Sequence, residues 1–340
     1  MLSIKTNINQ VVLKNRKLQV GAIISIIILM DVGVSRGWGQ QVVRNSRQER
    51  SCEPIAKVIS GDIRYQPLSK LCQEDKVSAA NGGRVKIFCY PRGRILEISS
   101  DAVLKHCLPL SNRERRGCTL LDGRNCINPK GTNEENQPRL ISPYGLLIMN
   151  SRPTLSWFTT RAATSYSVQI KGNGGVNWDV EVKAESLSYP QDQPAMKPGN
   201  VYNVNIIAMR GNEVLDGSSS ILLLLSTDKA DEVTKTINNL KSLKQPEDEL
   251  AIDMDAVYEA QNLVHNSIEV LTARVKAGSR NPTIYRLLGD RYLIANFPQT
   301  ANQAYLIAKQ LAQKADNNIE LIKSEAGIKI ASQHIIHQQE

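Results

Sequence analysis

Seven residues near the end of the chain, Tyr285, Leu288, Gly289, Tyr292, Ala301, Tyr305 and Ala308, fall in helical step across two predicted helices, 283–295 and 299–314. The small residues Gly289 and Ala301 let the two helices approach closely, and the tyrosines and Leu288 fill the space between them. Counting back 34 residues from Tyr292 reaches Tyr258, and the same step from Ala301 and Tyr305 reaches Ser267 and Leu271. A helix–turn–helix unit of this length cannot bury its apolar stripe alone, so it must stack on a neighbour. The earlier unit departs from the pattern, with Asp255 at the small-glycine position and Ser267 at the alanine position.

The helical period begins earlier and ends later than these two units. Residues 228–243 place Ala230, Val233, Ile237 and Leu240 on one stripe, a helix that docks onto the rest. Gln245-Pro246 breaks the chain, and Glu247 to Glu249 supply carboxylates to the next helix N-terminus. Helices are then predicted over 249–263, 266–277, 283–295, 299–314 and 318–335, with Gly278 as a C-cap and Asn281-Pro282 opening the best-formed unit. That unit resembles one complete tetratricopeptide repeat (TPR). The resemblance implies a helical repeat domain over 228–340 that binds a protein partner through its concave face and carries no chemistry of its own. Helical phase selects Asn262, Arg286, Asp290 and Asn296 as the exposed contact candidates.

Before the helices the period is two. In residues 139–227, Leu155 and Trp157 point inward, Tyr166, Val168 and Ile170 alternate, and Asn173-Gly174-Gly175 turns the chain into Trp178, Val180 and Val182. After Pro198-Gly199, Tyr202, Val204, Ile206 and Ala208 share one face, which predicts an antiparallel β-sandwich. The run from Lys197 to Ala208 resembles the late strands of a fibronectin type III domain, with Trp157 as the matching core tryptophan. That resemblance implies a fold and no activity. Trp178 reads as a core side chain, since Val180 and Val182 share its face; the alternative is a sugar-stacking platform.

All six cysteines, Cys52, Cys72, Cys89, Cys107, Cys118 and Cys126, fall within residues 40–126. An even number confined to one small module reads as a disulfide framework in an oxidising compartment. The sequence leaves the connectivity open; local loops favour Cys89–Cys107 and Cys118–Cys126, which leaves Cys52–Cys72. No Cys-x-x-Cys pair occurs and His106 is the only nearby histidine, so no metal is expected. Short strands over 55–59, 84–90 and 94–99 are separated by Gly61-Asp62 and Pro91-Arg92-Gly93 turns. This order resembles the small β modules of FecR-like envelope proteins. Arg84, Lys86, Arg92 and Arg94 form the alternative site, a basic patch for anionic cell-wall glycan. Residues 127–138 read as a polar linker.

Residues 1–39 carry Lys5, Lys14, Arg16 and Lys17 ahead of an apolar run from Leu18 to Met30, the layout of an export signal cut before Gln40. The rival reading is an uncleaved anchor, for which Leu18 to Val34 is short. The formal charge of +9 divides into +4 for residues 1–39, +6 for 40–138 and −1 beyond, so it does not call for nucleic acid. No nucleophile elbow, phosphate loop, dinucleotide fingerprint or His-Glu-x-x-His is present. His334 and His337 on the last helix read as a polar helix end. The expectation is a multidomain α+β protein, exported to the periplasm or envelope, without enzymatic activity or cofactor. It resembles multi-module exported proteins common in cyanobacteria, with a protein or a glycan as partner. A hydrolase with an unrecognised site is the remote alternative.

Overall fold

The alternating strands 85–89 and 56–60 bury both of their faces, and this determines how the molecule is assembled. The computed structural model describes residues 52–108 and 137–337, which belong to one compact unit, Ser51–Glu340. The first module contains β1 (Ala56–Ser60), β2 (Lys70–Leu71), β3 (Lys76–Ser78), β4 (Val85–Cys89), β5 (Arg94–Ile98), β6 (Ser100–Ala102) and the short helix α1 (Val103–Cys107). Its main sheet has the order β2-β1-β4-β5, and β3 pairs with β6 in a separate ribbon. Ala56 and Val58 of β1 and Val85, Ile87 and Cys89 of β4 turn into the module's own core, while Ile59 and Phe88 turn to the helices. Two disulfides staple this small core, Cys52–Cys72 and Cys89–Cys107, both as expected. The third expected pair, Cys118–Cys126, and the linker 127–136 lie outside the described residues, as does the whole of residues 1–39.

The second module is a β-sandwich. Its strands are β7 (Leu140–Ser142), β8 (Leu147–Ile148), β9 (Thr154–Trp157), β10 (Ser165–Gly172), β11 (Asn177–Val182), β12 (Ser186–Ser188), β13 (Val201–Arg210) and β14 (Glu213–Leu224). A five-stranded sheet, β11-β10-β13-β14-β8, faces a three-stranded sheet, β12-β9-β7. Leu155, Trp157, Tyr166, Val168, Ile170, Tyr202, Val204 and Ile206 fill the space between, the inward set that alternation selects. One pairing departs from the antiparallel expectation: β8 runs parallel to β14. The chain of β7 continues forward and changes sheets, so β8 arrives in the direction of β14 and not against it. Trp178 is a core residue, buried and donating its indole N–H to the Tyr189 hydroxyl at 3.1 Å.

Six helices follow: α2 (Thr227–Ser242), α3 (Glu247–Ala260), α4 (Val264–Lys276), α5 (Pro282–Ile294), α6 (Pro298–Lys314) and α7 (Asn318–His337). They pack in chain order, and α3 also touches α5 as α5 touches α7. Three of the turns share one geometry. The amides of Leu263, Phe297 and Asn317 donate to the carbonyls of Tyr258, Tyr292 and Ala312, five residues back, each past a left-handed residue: Asn262 (φ 58°), Asn296 (φ 65°) and Asp316 (φ 51°). This is the Schellman stop, and Gly278 (φ 86°) repeats it at the end of α4 as the sequence predicts. Asn262 and Asn296, one period apart, therefore turn the chain and do not lie on the helices, which corrects their selection by helical phase.

Tyr305 of α6, fully buried, is the spacer of the C-terminal stack. A Cβ at Gly289 of α5 would come within 2.7 Å of its ring, and a Cβ at Gly327 of α7 within 2.5 Å. The ring is therefore clasped between two glycines, and any side chain there must displace it. We expect Gly289→Val and Gly327→Val each to destabilise the helical region by about 1–3 kcal/mol through overpacking, read as a lower urea midpoint. Leu306→Ala, at an exposed position of α6, should leave the midpoint within about 0.5 kcal/mol.

Candidate functional site

The one fully buried lysine among the described residues lies where the disulfide-stapled module meets the helices. Lys57 alternates out of its own core on β1, so its side chain crosses to α3, where Asp253 is also fully buried. Its Nζ donates to Asp253 Oδ1 at 2.8 Å, to Oδ2 at 2.9 Å and to Gln245 Oε1 at 2.9 Å, with Glu249 at 3.5 Å. Gln245 donates in turn to Asp253 Oδ2 at 2.7 Å, and the Tyr90 ring lies 6.0 Å from the ammonium. Every polar atom of the ammonium is matched, as a buried charge requires. Burial lifts the Asp253 carboxyl above its ordinary range against the pull of Lys57, and burial together with the Asp253 charge lifts the Tyr90 phenol. Glu249 moves the other way, because Lys70 and Lys57 outweigh its burial and hold its pKa down.

The turn Tyr90–Gly93 completes the junction. Gly93 has φ 57° and lies so close to α3 that a Cβ would meet Ala260 Cβ at 2.6 Å and the Ala256 carbonyl at 2.7 Å. Phe88, Tyr90 and Ile95 of the module, Leu147 and Met149 of the sandwich, and Val233, Ile237, Leu240, Ala256 and Val257 of α2 and α3 form one shared apolar cluster. Two outer ion pairs frame it. Lys70 donates to Glu249 at 3.0 Å, and Lys323 of α7 pairs with Glu53.

A second seam joins sandwich and helices. Tyr144 packs against His265, Tyr292 and Phe297, and Phe158 stacks on Phe297 with the Arg139 guanidinium 5.0 Å from the Phe158 ring centroid. His265 accepts the Tyr144 amide at 3.5 Å through Nδ1 and holds Nε2 3.4 Å from Glu269. Ser142, Thr154, His265, Asn266 and Glu269 line a small polar cleft here.

Within the stack, Arg291 of α5 is buried and donates to Asp255 of α3 at 2.8 and 2.7 Å, with Glu259 at 3.0 Å. Burial works against this cation, but the two carboxylates prevail and hold its pKa far above the ordinary value. Asp255, expected at a small-glycine position, is thus the partner of a charge 36 residues further on. Arg286 donates to Asp290 and to Glu320 of α7 at 2.6 Å each, and the Tyr305 hydroxyl donates to Asp290 at 2.7 Å. The Arg286 side chain retains 13% exposure and Asp290 25%, so neither stands free in a groove. This corrects their expected exposure: each is held by a helix that the local phase does not see.

The alternative basic patch is likewise divided. Arg84 and Lys86 share Glu97 at 3.3 and 3.4 Å on the register Lys86↔Glu97, while Arg92 at the far end of β4 donates to the Leu108 carbonyl at 2.8 Å. Arg94 pairs in register with Cys89 at that same far end, away from Arg84. The four side chains do not converge. Among the described residues no group of three His, Cys, Asp or Glu is arranged to hold a metal, and no helix is long and apolar enough to cross a membrane. Sequence reasoning missed the Lys57 socket altogether. The only local signal was a lysine inside a strand buried on both faces.

No family model matches the chain, and no curated protein matches it. Among solved structures, the fn3 domain of human collagen alpha-1(XX) chain is a neighbour at 19% identity and a TM-score of 0.21, covering 28% of this chain and 95% of that one. The sandwich assignment rests on its strand order and core.

Two measurements follow from these seams. Lys57→Met should cost about 3–5 kcal/mol, because it strands Asp253 in the interior, and adding Asp253→Leu should restore most of the loss; urea unfolding of the single and double variants checks this. Burial and the neighbouring Tyr292 push the Tyr144 phenol from 10.0 up to about 12. A raised pKa means the folded chain keeps a proton that the unfolded chain loses, so this stability is intact below pH 10.0 and is lost as pH rises through about 12. Tyr144→Phe should therefore flatten the fall of stability over that window relative to wild type.

Proposed function

We propose that the chain is an exported, non-enzymatic scaffold of the cell envelope or periplasm that binds a protein partner through its TPR-like helices. The observation that carries this reading is where the strongly perturbed charges end up. Asp253, Arg286, Arg291 and the Tyr305 phenol are each tied into a contact between helices or between modules. Perturbed groups of that kind usually mark chemistry when they line a cleft. Here they serve as joints. A disulfide-stapled module docked on the helices suits a protein exposed to an oxidising compartment, where disulfides persist. The recurrence of the Schellman stop one period apart, at Asn262 and Asn296, supports the repeat reading.

The partner surface is then the helical face left in solvent. Leu306 and Ile307 of α6 are each 43% exposed and Ile322 of α7 is 66% exposed, apolar side chains at the end of the stack distant in sequence from the module-bearing α3. Apolar side chains left in solvent on one helix pair are candidates for a contact surface. The test uses the full chain as bait in an envelope extract beside a triple variant, Leu306→Glu, Ile307→Lys and Ile322→Glu. A protein retained by wild type and lost from the variant, with the thermal midpoint unchanged, supports the reading. An identical set of retained proteins from both baits refutes it.

A further inference from the structure

We infer that the grip of the Cys-rich module on the helices is redox-conditional: reducing its two described disulfides, Cys52–Cys72 and Cys89–Cys107, undocks the module from α3 and α7 while the sandwich and the C-terminal helix pair stay folded. This does not depend on the scaffold reading. It rests on where the four cysteines sit relative to the docking contacts.

Each disulfide abuts a contact with the helices. Cys52 precedes Glu53, the partner of Lys323 on α7. Cys72 lies two residues from Lys70, which pairs with Glu249 on α3. Cys89 precedes Tyr90, and the turn it opens brings Gly93 against the α3 backbone. Its partner Cys107 precedes Leu108, whose carbonyl holds Arg92 of that same turn at 2.8 Å. The two staples therefore flank three stretches of the module that touch helices, and the module's own apolar core is small.

The Lys57 socket makes this dependence steep. Docked, the ammonium meets Asp253 and Gln245 at 2.8–2.9 Å with almost no exposure. A loosened β1 cannot hold that geometry, and a mispositioned buried cation is far less favourable than one returned to water. Small displacements are thus not tolerated, and the module is either seated or released.

The accessibilities set an order. Cys89 and Cys107 are completely buried, whereas Cys72 retains 8% exposure and Cys52 is half-buried. A dithiol reductant attacks Cys52–Cys72 first: its thiolate forms a mixed disulfide with one cysteine sulfur, the other leaves as a thiolate, and the second reductant thiol releases the first cysteine. The reductant ends oxidised and both cysteines end as thiols. Cys89–Cys107 becomes reachable only as the module loosens, so docking protects the staple that shapes its own docking turn.

The exposed ion pairs supply the readout. A zero-length carbodiimide crosslinker joins Lys70 to Glu249 and Lys323 to Glu53 in the oxidised full chain, and Lys309 to Glu325, 3.0 Å apart between α6 and α7, serves as the internal control. Treatment with dithiothreitol should lower both module–helix crosslinks at least tenfold and leave the Lys309–Glu325 crosslink unchanged. The paired variant Cys89→Ser with Cys107→Ser should show the same loss without reductant. Persistence of the module–helix crosslinks in the reduced chain overturns the inference, because docking then needs no disulfide. Loss of the Lys309–Glu325 crosslink alongside them overturns it equally, because reduction then unfolds the body as a whole.

Discussion

A single buried ion pair, Lys57 with Asp253, directs how the Cys-rich module seats on the helices. An ammonium removed from water must be met by charge and by hydrogen-bond acceptors together, and here these come from α3 and from the Gln245 that precedes it. That requirement fixes the face of β1 that turns to the helices and the rotation of α3 that brings Asp253 forward. It also fixes the approach of the Tyr90–Gly93 turn, since the backbone can come near α3 only where no side chain intervenes. The surrounding cluster from Ile59, Phe88, Val233, Leu240 and Val257 supplies burial without direction. The ion pair supplies the direction.

The C-terminal stack solves a similar problem with different chemistry. Tyr305 is too large for an ordinary helix interface, and Gly289 and Gly327 on either side give it room. Its hydroxyl then reaches Asp290, which Arg286 also holds, and Arg286 continues to Glu320. Three successive helices are joined through one aromatic ring and one charged chain. The same logic links α3 to α5 through Asp255 and Arg291. Each joint makes the rotation of one helix depend on that of another.

Much of this fold is legible locally. The helices 282–294 and 298–314 are read from tyrosines and small residues in step, and the sandwich strands from alternation between Gly-bearing turns. The Cys89–Cys107 disulfide follows from its local loop, and Cys52–Cys72 is the pair left over. What is not legible is anything decided across the chain. Asp255 looks like a defect in a repeat until Arg291, 36 residues on, is placed beside it. Arg286 and Asp290 look exposed because the phase of one helix says nothing of Glu320 on another. Asn262 and Asn296 look like surface ligands because helical phase is carried past the points where the two helices stop. The direction of β8 is hidden for a related reason: its partner β14 lies more than seventy residues away. Lys57 is the sharpest case, since no local rule sends a lysine into a core.

These joints lie between modules, and that location has a physical consequence for how the protein responds to its surroundings. Apolar contact areas yield gradually as parts shift, but a buried charge with four matched acceptors does not. The seam beneath Tyr144 is of the gradual kind, built from rings that slide against His265, Tyr292 and Phe297. The seam at Lys57 is of the abrupt kind, and it is also the seam whose flanking loops are held by disulfides. The small core of the stapled module is thus coupled to an unforgiving contact. A perturbation confined to the small module is converted there into a change at α3, whereas the same perturbation at the sandwich would be absorbed by repacking. Partition of this kind follows from the two interaction types alone, and it makes the module–helix junction the place where the chain is built to come apart.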